Sequence, residues 1–215
     1  MIKRYDYVSL VAIAAMFLTA LVVWNQVPNE LPIHWNVAGE IDRYGNKYQG
    51  LLLLPLLALG SYLLTLFLPK IDPKRKELDN PMLLSFIRLI IISILVVMYF
   101  AIVATALGYT VLIPQICSLS IGLVFIFFGN VMPKVQSNWF VGVRTPWTLQ
   151  SEHSWFMTHR LAGWMMTIGG LLLVISSFLL KPQWLAGIII AVALSTLLLI
   201  PYSYIMWKQD KARSS

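Results

Sequence analysis

The stretch LSFIRLIIISILVVMYFAIVATALGYTVLIPQICSLSIGLVFIFFGN, residues 84–130, decides the fold of this chain. Arg88 is its one charged side chain, and its apolar residues form two runs, 84–107 and 111–130, which are separated at Gly108. An α-helix needs about 20 mostly apolar residues to cross a hydrocarbon core of about 30 Å. The stretch therefore predicts two transmembrane helices joined by a tight turn.

Four further apolar runs of similar length flank this pair, at 8–27, 50–69, 161–180 and 184–206. Of the 215 residues, 59% are hydrophobic and 12% are charged, against about 45–50% and about 25% in soluble domains, and the mean hydropathy is +0.76. We predict an all-α, polytopic integral membrane protein with six transmembrane helices. The first run is too long for the apolar part of a typical signal peptide and lacks a small-residue cleavage site, so we interpret it as an uncleaved helix.

The distribution of Lys and Arg predicts the orientation. Cytoplasmic loops of membrane proteins carry the excess of basic residues. With the N-terminus inside, 13 basic residues face the cytoplasm and 3 face outward. The inner set is Lys3, Arg4, Lys70, Lys74, Arg75, Lys76, Arg88, Lys134, Arg144, Arg160, Lys208, Lys211 and Arg213, and the outer set is Arg43, Lys47 and Lys181. We predict that both termini are cytoplasmic, which also explains the net charge of +7 without a nucleic-acid partner.

The acidic residues and the single cysteine argue against some classes of protein. All nine acidic residues are assigned to loops or tails, which disfavours a proton-coupled pump, because such proteins place ionisable groups at membrane depth. Arg88, about one turn inside the third span, either extends to the inner interface or binds a buried partner. One cysteine, Cys117, cannot form an internal disulfide, and we expect it to be a buried apolar residue.

The polar segment between the first two spans reads PNELPIHWNVAGEIDRYGNKYQG and is rich in turn formers. Three interpretations stay open for it. His34, Glu40 and Asp42 are of types that bind zinc, but they lack a local ligand spacing, so no metal is predicted. The segment could instead pack on the helix ends, with Trp35 and Tyr44 in an aromatic belt, or form a docking surface for an extracellular ligand.

Within this segment, P-I-H-W-N-x-x-G-x-x-D-R-Y-G-N-K at 32–47 resembles the signature of a domain of unknown function, the DUF1648 type, which follows the first helix of bacterial membrane proteins. The positions that carry the resemblance are Pro32, His34, Gly39, Asp42 and Lys47.

The second long polar segment, 131–160, faces the cytoplasm in the predicted topology. From Thr148, a plausible N-cap, we predict an amphipathic helix near 148–160 that lies on the membrane interface. Its proposed face carries Glu152, Trp155, Phe156 and His159 at helical spacing. His153 and His159 are six residues apart and do not form the i, i+4 pair of zinc proteases.

Before this helix, the Gly and Pro residues of NWFVGVRTPW, 138–147, predict an ordered turn at the membrane surface. Arg144 in this turn could bind a lipid phosphate, cap a helix or pair with Glu152, and pairing is the simplest of these. A further alternative is a cytoplasmic face that binds a soluble partner.

Three motifs, G-N-x-M-P-K at 129–134, N-W-F-V-G-V-R-T-P-W-T-L at 138–149 and T-H-R-x-x-G at 158–163, closely resemble the SdpI family of bacterial membrane proteins. The resemblance implies a multi-pass protein of the bacterial cell membrane that protects its producer from a secreted antimicrobial peptide toxin. It also implies a second role in the founding member, which holds a small winged-helix repressor at the membrane when toxin is present. No catalytic residue and no cofactor come with the family, so an enzyme is not predicted.

These inferences assign residues to two surfaces and divide the chain at residue 80. The unit 1–80 contains the outer loop, and 81–215 is an SdpI-like four-helix unit. The expected toxin-facing residues are Pro32, His34, Trp35, Gly39, Asp42 and Lys47. The expected cytoplasmic motif is Asn130, Pro133, Asn138, Gly142, Arg144, Thr145, Pro146, Trp147, Thr148, Glu152, Trp155, His159 and Arg160. Lys74, Arg75, Lys76, Arg144 and Arg160 are candidates for a repressor surface.

The alternative function is a transporter or flippase for a small amphipathic molecule, and membrane lipids are expected partners in either case.

Overall fold

The computed structural model describes residues 4–71, 81–139 and 141–214. In chain order, the elements are α1 (Arg4–Val23), β1 (Glu30–Trp35), β2 (Ile41–Asn46), a π-helical turn (Tyr48–Leu52) that continues into α2 (Leu53–Ile71), α3 (Pro81–Ala106), α4 (Ile113–Val131) with a 3-10 turn (Met132–Lys134), α5 (Pro146–Gln150), α6 (Glu152–Leu179), α7 (Pro182–Ser195), a 3-10 turn (Thr196–Leu198) and α8 (Leu199–Ser214).

Six helical segments in the described part of the chain are long and apolar enough to cross a membrane. Five of them contain α1, α2, α3, α4 and α6, and the sixth joins α7 and α8. Large apolar side chains such as Leu21 and Leu179 are exposed on their outer faces, as is expected where lipid replaces water as the solvent. The prediction of a six-span membrane protein is confirmed.

Contacts between helix ends define the two ends of the bundle. At one end, which we call the hairpin end, Gly39 in the turn between the strands lies against Pro114 and Pro182, at the starts of α4 and α7. At the other end, the ring of Phe86 contacts Tyr5 and Phe127 at centroid distances of 5.1 Å and 4.9 Å. The starts of α1 and α3 therefore lie beside the end of α4, and we call this the terminal end.

The first three spanning helices pack around one apolar core that reaches the hairpin. Tyr99 of α3 is fully buried, and its hydroxyl donates a hydrogen bond of 2.9 Å to the backbone oxygen of Met16 in α1. Leu31 of β1 is also fully buried and lies close against Gly50. The predicted boundary at residue 80 falls just outside the described residues, and α3, which follows it, packs against both α1 and α2.

Helices α4 and α6 are antiparallel and meet at two pairs of glycines. A Cβ atom on Gly170 would lie 2.5 Å from the backbone oxygen of Gly122, and one on Gly163 would lie 2.7 Å from that of Gly129. Ser118 donates a hydrogen bond of 3.0 Å across the same interface to the backbone oxygen of Leu173. Small residues allow such a close approach of helices in membranes, so α4 and α6 form the rigid centre of the second half.

The placement of Asp6 corrects the assignment of every acidic residue to loops or tails. Asp6 lies in the first turn of α1 and is buried, and Arg88 of α3 is buried beside it. Their side chains form an ion pair, with Arg88 Nη2 2.9 Å from Asp6 Oδ1. Arg88 also donates to the backbone oxygen of Thr65 in α2 at 3.1 Å. The expectation that Arg88 extends to the interface is wrong, because a buried carboxylate holds it inside the bundle.

Candidate functional site

The segment between the first two spans is a β-hairpin, which the turn formers in its sequence did not indicate. Strands β1 and β2 are antiparallel, and their register is irregular around His34. The turn is closed by Asn36, whose Oδ1 accepts the backbone N–H of Ala38 at 2.9 Å and that of Glu40 at 3.0 Å. Gly39 has φ +85°, a conformation that glycine adopts readily. The hairpin is thus a structured element seated on the ends of other helices.

His34 and Asp42 face each other across the two strands. His34 Nδ1 lies 2.6 Å from Asp42 Oδ1, and both side chains are exposed, by 53% and 41%. The structure therefore brings together two of the predicted outer residues as one exposed polar pair. No group of three residues that could hold a metal is found among the described His, Cys, Asp and Glu side chains.

The other predicted outer residues have structural positions. Pro32 is buried, and Trp35 is half-buried. Lys47 donates a hydrogen bond of 2.6 Å from Nζ to the backbone oxygen of Trp24, just after α1. Carbonyl groups at a helix C-terminus lack partners within the helix, and a lysine there satisfies one of them. Lys47 therefore ties the hairpin to the end of α1.

At the terminal end, the polar segment after α4 is held by Asn138. This side chain is fully buried. Its Nδ2 donates to the backbone oxygens of Gln136 and Val141 at 2.8 Å and 3.0 Å, and its Oδ1 accepts the Val141 N–H at 2.6 Å. Pro133, before it, packs against Gly163 of α6. An asparagine with three bonds to the main chain explains how an irregular segment keeps one conformation.

His159 is the centre of the terminal-end motif. Its Nε2 accepts the backbone N–H of Val143 at 3.0 Å, and its Nδ1 lies 2.8 Å from the backbone oxygen of Trp155. A carbonyl only accepts hydrogen bonds, so Nδ1 carries the proton and the ring is neutral in this arrangement. Gly142 has φ +118°, and a Cβ there would fall on His159 Nε2. The glycine thus allows the chain to reach the imidazole.

Trp155 packs against the ring of His159. The two rings are stacked, with centroids 4.0 Å apart. Trp155 is buried, and its Nε1 donates to the backbone oxygen of Val135 at 2.7 Å. The predicted amphipathic face is therefore divided: Trp155 and His159 point into the protein, whereas Glu152 and Phe156 are exposed.

The helix that was predicted near 148–160 is two elements. Thr145 caps α5 in a capping box with Thr148, whose backbone N–H it accepts at 3.2 Å. Ser151 then caps α6, which runs without a break into the fifth span. The prediction of Thr148 as the N-cap is wrong by three residues, because Pro146 occupies the first turn of α5 rather than preceding the helix.

Both caps are also bonded to the last helix. Thr145 Oγ1 lies 2.9 Å from Ser203 Oγ, and the Ser151 hydroxyl donates to Asp210 at 2.6 Å. The ring of Trp147 contacts Tyr204 edge-on at 5.2 Å. Sequence patterns did not identify Ser203, Asp210 or Asp6, because their partners are distant along the chain.

The remaining predicted residues lie at the surface of the same end. Arg144 is exposed and donates to the backbone oxygen of Trp139 at 2.6 Å. The predicted Arg144–Glu152 pair does not form, because the ion pairs among the described residues are His34–Asp42 and Arg88–Asp6. Arg160 is exposed, and Asn130 donates to the backbone of its own helix. The other basic candidates, Lys74, Arg75 and Lys76, lie outside the described residues.

Comparison with known proteins agrees with this arrangement. Residues 134–203 match the SdpI/YfhL protein family, and residues 11–59 match a domain of unknown function, DUF1648. The chain is 27% identical over 212 residues to the Immunity protein SdpI of Bacillus subtilis (strain 168), and the alignment covers 96% of this chain and 97% of that protein. No solved structure matches the chain significantly.

The two matched regions overlap the two structured polar segments. The DUF1648 match contains the hairpin, most of α1 and the start of α2, and the SdpI match contains the His159 motif. Both predicted resemblances are confirmed. With six helices that are long and apolar enough to cross a membrane, the chain is a multi-pass protein of the cell membrane.

Proposed function

We propose that this protein is an immunity protein that protects the cell from a secreted peptide toxin. The observation that carries the proposal is the end-to-end similarity to the Immunity protein SdpI, with 96% of this chain and 97% of that protein aligned. The similarity to an immunity protein favours a role in binding rather than catalysis. The terminal-end histidine supports this, since both of its nitrogens are bonded to the main chain.

The hairpin is the proposed toxin-binding surface. A short recognition element needs a fixed backbone and exposed side chains, because each group that must be ordered on binding lowers the affinity. The Asn36 turn and the Lys47 bond provide the fixed backbone. The exposed groups are the His34–Asp42 pair and Tyr44, which is 55% exposed.

The proposed topology places this hairpin outside the cell and both termini in the cytoplasm. Its support is the predicted 13-to-3 distribution of basic residues. In this orientation, the terminal end could also bind a cytoplasmic winged-helix repressor through the exposed Arg144 and Arg160. For toxin to regulate the repressor, the bundle must have two conformations that bind the toxin with different affinities, because a ligand shifts such an equilibrium only by that difference.

The test of toxin binding is survival of a toxin-sensitive bacterium that expresses the protein. We expect the unmutated protein to protect the cells. His34→Ala and Asp42→Asn should each lower the highest toxin concentration that the cells survive by about fivefold, since exposed polar pairs contribute up to about 1 kcal/mol. Arg43→Gln, exposed in the same hairpin, is the matched control and should protect fully. Absence of protection by the unmutated protein at normal membrane levels would exclude immunity to that toxin.

Orientation is tested by thiol labelling of intact cells. In a Cys117→Ala background, Val37→Cys at the exposed hairpin should react with an impermeant reagent, and Gln150→Cys at the terminal end should react only after permeabilisation. Equal labelling of both positions in intact cells would contradict the proposed topology.

The alternative role as a transporter or flippase for a small amphipathic molecule has less support. Ionisable groups that move a substrate or proton must be able to change partners. Asp6 and Arg88 are instead bonded to each other near the ends of their helices.

A further inference from the structure

A groove of about 400 Å³ opens at the terminal end, between the 3-10 turn after α4 and the start of α6. The residues that matter for its chemistry are Pro133, Lys134, Gln136, Glu152, Trp155 and Phe156. A volume of this size lies within the range of small-molecule sites in proteins, about 300–1,000 Å³.

The floor of the groove is held in place. Trp155 is bonded through its Nε1 to the backbone of Val135 and is stacked on His159. A side chain that is fixed on one face and at its polar edge does not need to be ordered when a ligand binds. The floor of the groove is thus preformed.

The rim carries one charge of each sign. Lys134 and Glu152 are both exposed, and neither side chain has a hydrogen bond or an ion-pair partner in the described part of the chain. Phe156, also on the rim, is 51% exposed. A ligand that matches this rim has a negative group, a positive group a short distance away, and an apolar part.

The depth of the groove indicates where such a ligand comes from. Lys134 is the last residue of the fourth spanning segment, and Glu152 is the first residue of the fifth. About 20 residues are enough to cross the hydrocarbon core, and these segments have 22 and 28 residues, so both charges lie at or just beyond the water side of the core. Phospholipid headgroups occupy this level.

We propose that this groove binds the headgroup of a phospholipid with a phosphoethanolamine group. The Lys134 ammonium contacts the phosphate, and the Glu152 carboxylate accepts hydrogen bonds from the primary ammonium of the lipid. Phe156 packs against the glycerol and the first methylenes of the acyl chains. Because a quaternary choline has no N–H to donate, Glu152 gives the site its preference for ethanolamine over choline.

The experiment measures lipid binding to the full-length protein in detergent, by native mass spectrometry during titration with phosphatidylethanolamine, phosphatidylcholine or phosphatidylglycerol. We expect about fivefold tighter binding of phosphatidylethanolamine than of phosphatidylcholine, since an exposed charged pair contributes up to about 1 kcal/mol. Glu152→Gln should abolish this preference and leave phosphatidylcholine binding unchanged. Lys134→Gln should weaken the binding of both lipids.

Glu30→Gln at the hairpin end and Lys208→Gln at the terminal end are matched exposed controls and should behave as the unmutated protein. Equal affinity of the unmutated protein for phosphatidylethanolamine and phosphatidylcholine would overturn the proposal, as would an ethanolamine preference that survives Glu152→Gln. If both groove variants keep the lipid preference but lose binding to a cytoplasmic protein, the groove is a protein-binding site and the lipid assignment is wrong.

Discussion

Replacing one member of the Asp6–Arg88 pair should destabilise the bundle much more than replacing both. The two side chains are 4% and 6% exposed, and Arg88 also bonds to Ser85 and to the backbone of Thr65. Arg88→Leu removes the guanidinium from the buried Asp6 carboxylate, which keeps its hydrogen bond from Ser85. Asp6→Leu leaves the guanidinium buried without its anion.

The magnitude follows from the cost of a buried unpaired charge. Removal of one partner of a buried ion pair typically costs about 3–5 kcal/mol, whereas replacement of both by apolar residues is often close to neutral. We therefore expect each single variant to lose about 3 kcal/mol or more. The double variant Asp6→Leu/Arg88→Leu should lose about 2 kcal/mol less than either single variant. The difference between the sum of the single effects and the double effect is the coupling free energy of the pair.

The assay is reversible unfolding of the purified protein in mixed micelles, followed by circular dichroism. Arg4→Leu is the matched control, because Arg4 lies on the same helix and is exposed, and it should change the unfolding free energy by less than about 0.5 kcal/mol. Single effects below about 1 kcal/mol that add in the double variant would refute the reasoning, because they would show that the charges are solvated.

Two further predictions concern glycines, measured by the same unfolding assay. Gly142→Ala should cost about 1–3 kcal/mol, because φ +118° is strained for alanine and the new methyl group would meet His159. Gly170→Ala should cost about 1–3 kcal/mol, because its Cβ would lie 2.5 Å from the backbone oxygen of Gly122 and push α4 from α6. Gly187→Ala, with no atom within 4 Å of the new Cβ, is the control and should cause no loss. If all three variants unfold alike, the close approaches do not exist.

The spanning helices could be predicted from the sequence because length and apolarity alone define them. The same rule works for Leu-rich runs such as 84–107 whatever their neighbours are. The hairpin at 30–46 could not be predicted in this way, since its strands are short and interrupted by turn formers. Its turn also contacts Pro114 and Pro182, which are far along the chain.

The candidate site shows the same division between local and distant signals. The motifs that contain Gly142 and His159 were identified by their resemblance to a family, and these two residues do meet in space. Their roles were not predictable from helical spacing, which placed Trp155 and Phe156 on one membrane-facing surface. Asp6 was missed because its partner Arg88 is in another helix, and a carboxylate near a chain terminus has the pattern of a solvated tail.

Both ring nitrogens of His159 are hydrogen-bonded to the main chain, and this affects how mutations of the residue are interpreted. The imidazole accepts a hydrogen bond at Nε2 and donates one at Nδ1, so its role is to hold the loop in place. No lone pair is left for a metal, and no nitrogen is left to take up a proton. An alanine variant of His159 would lose activity because the loop loses its structure, and this loss could be mistaken for the removal of a catalytic or binding group. His34, whose ring is 53% exposed, is the histidine at which a lost activity can be interpreted directly.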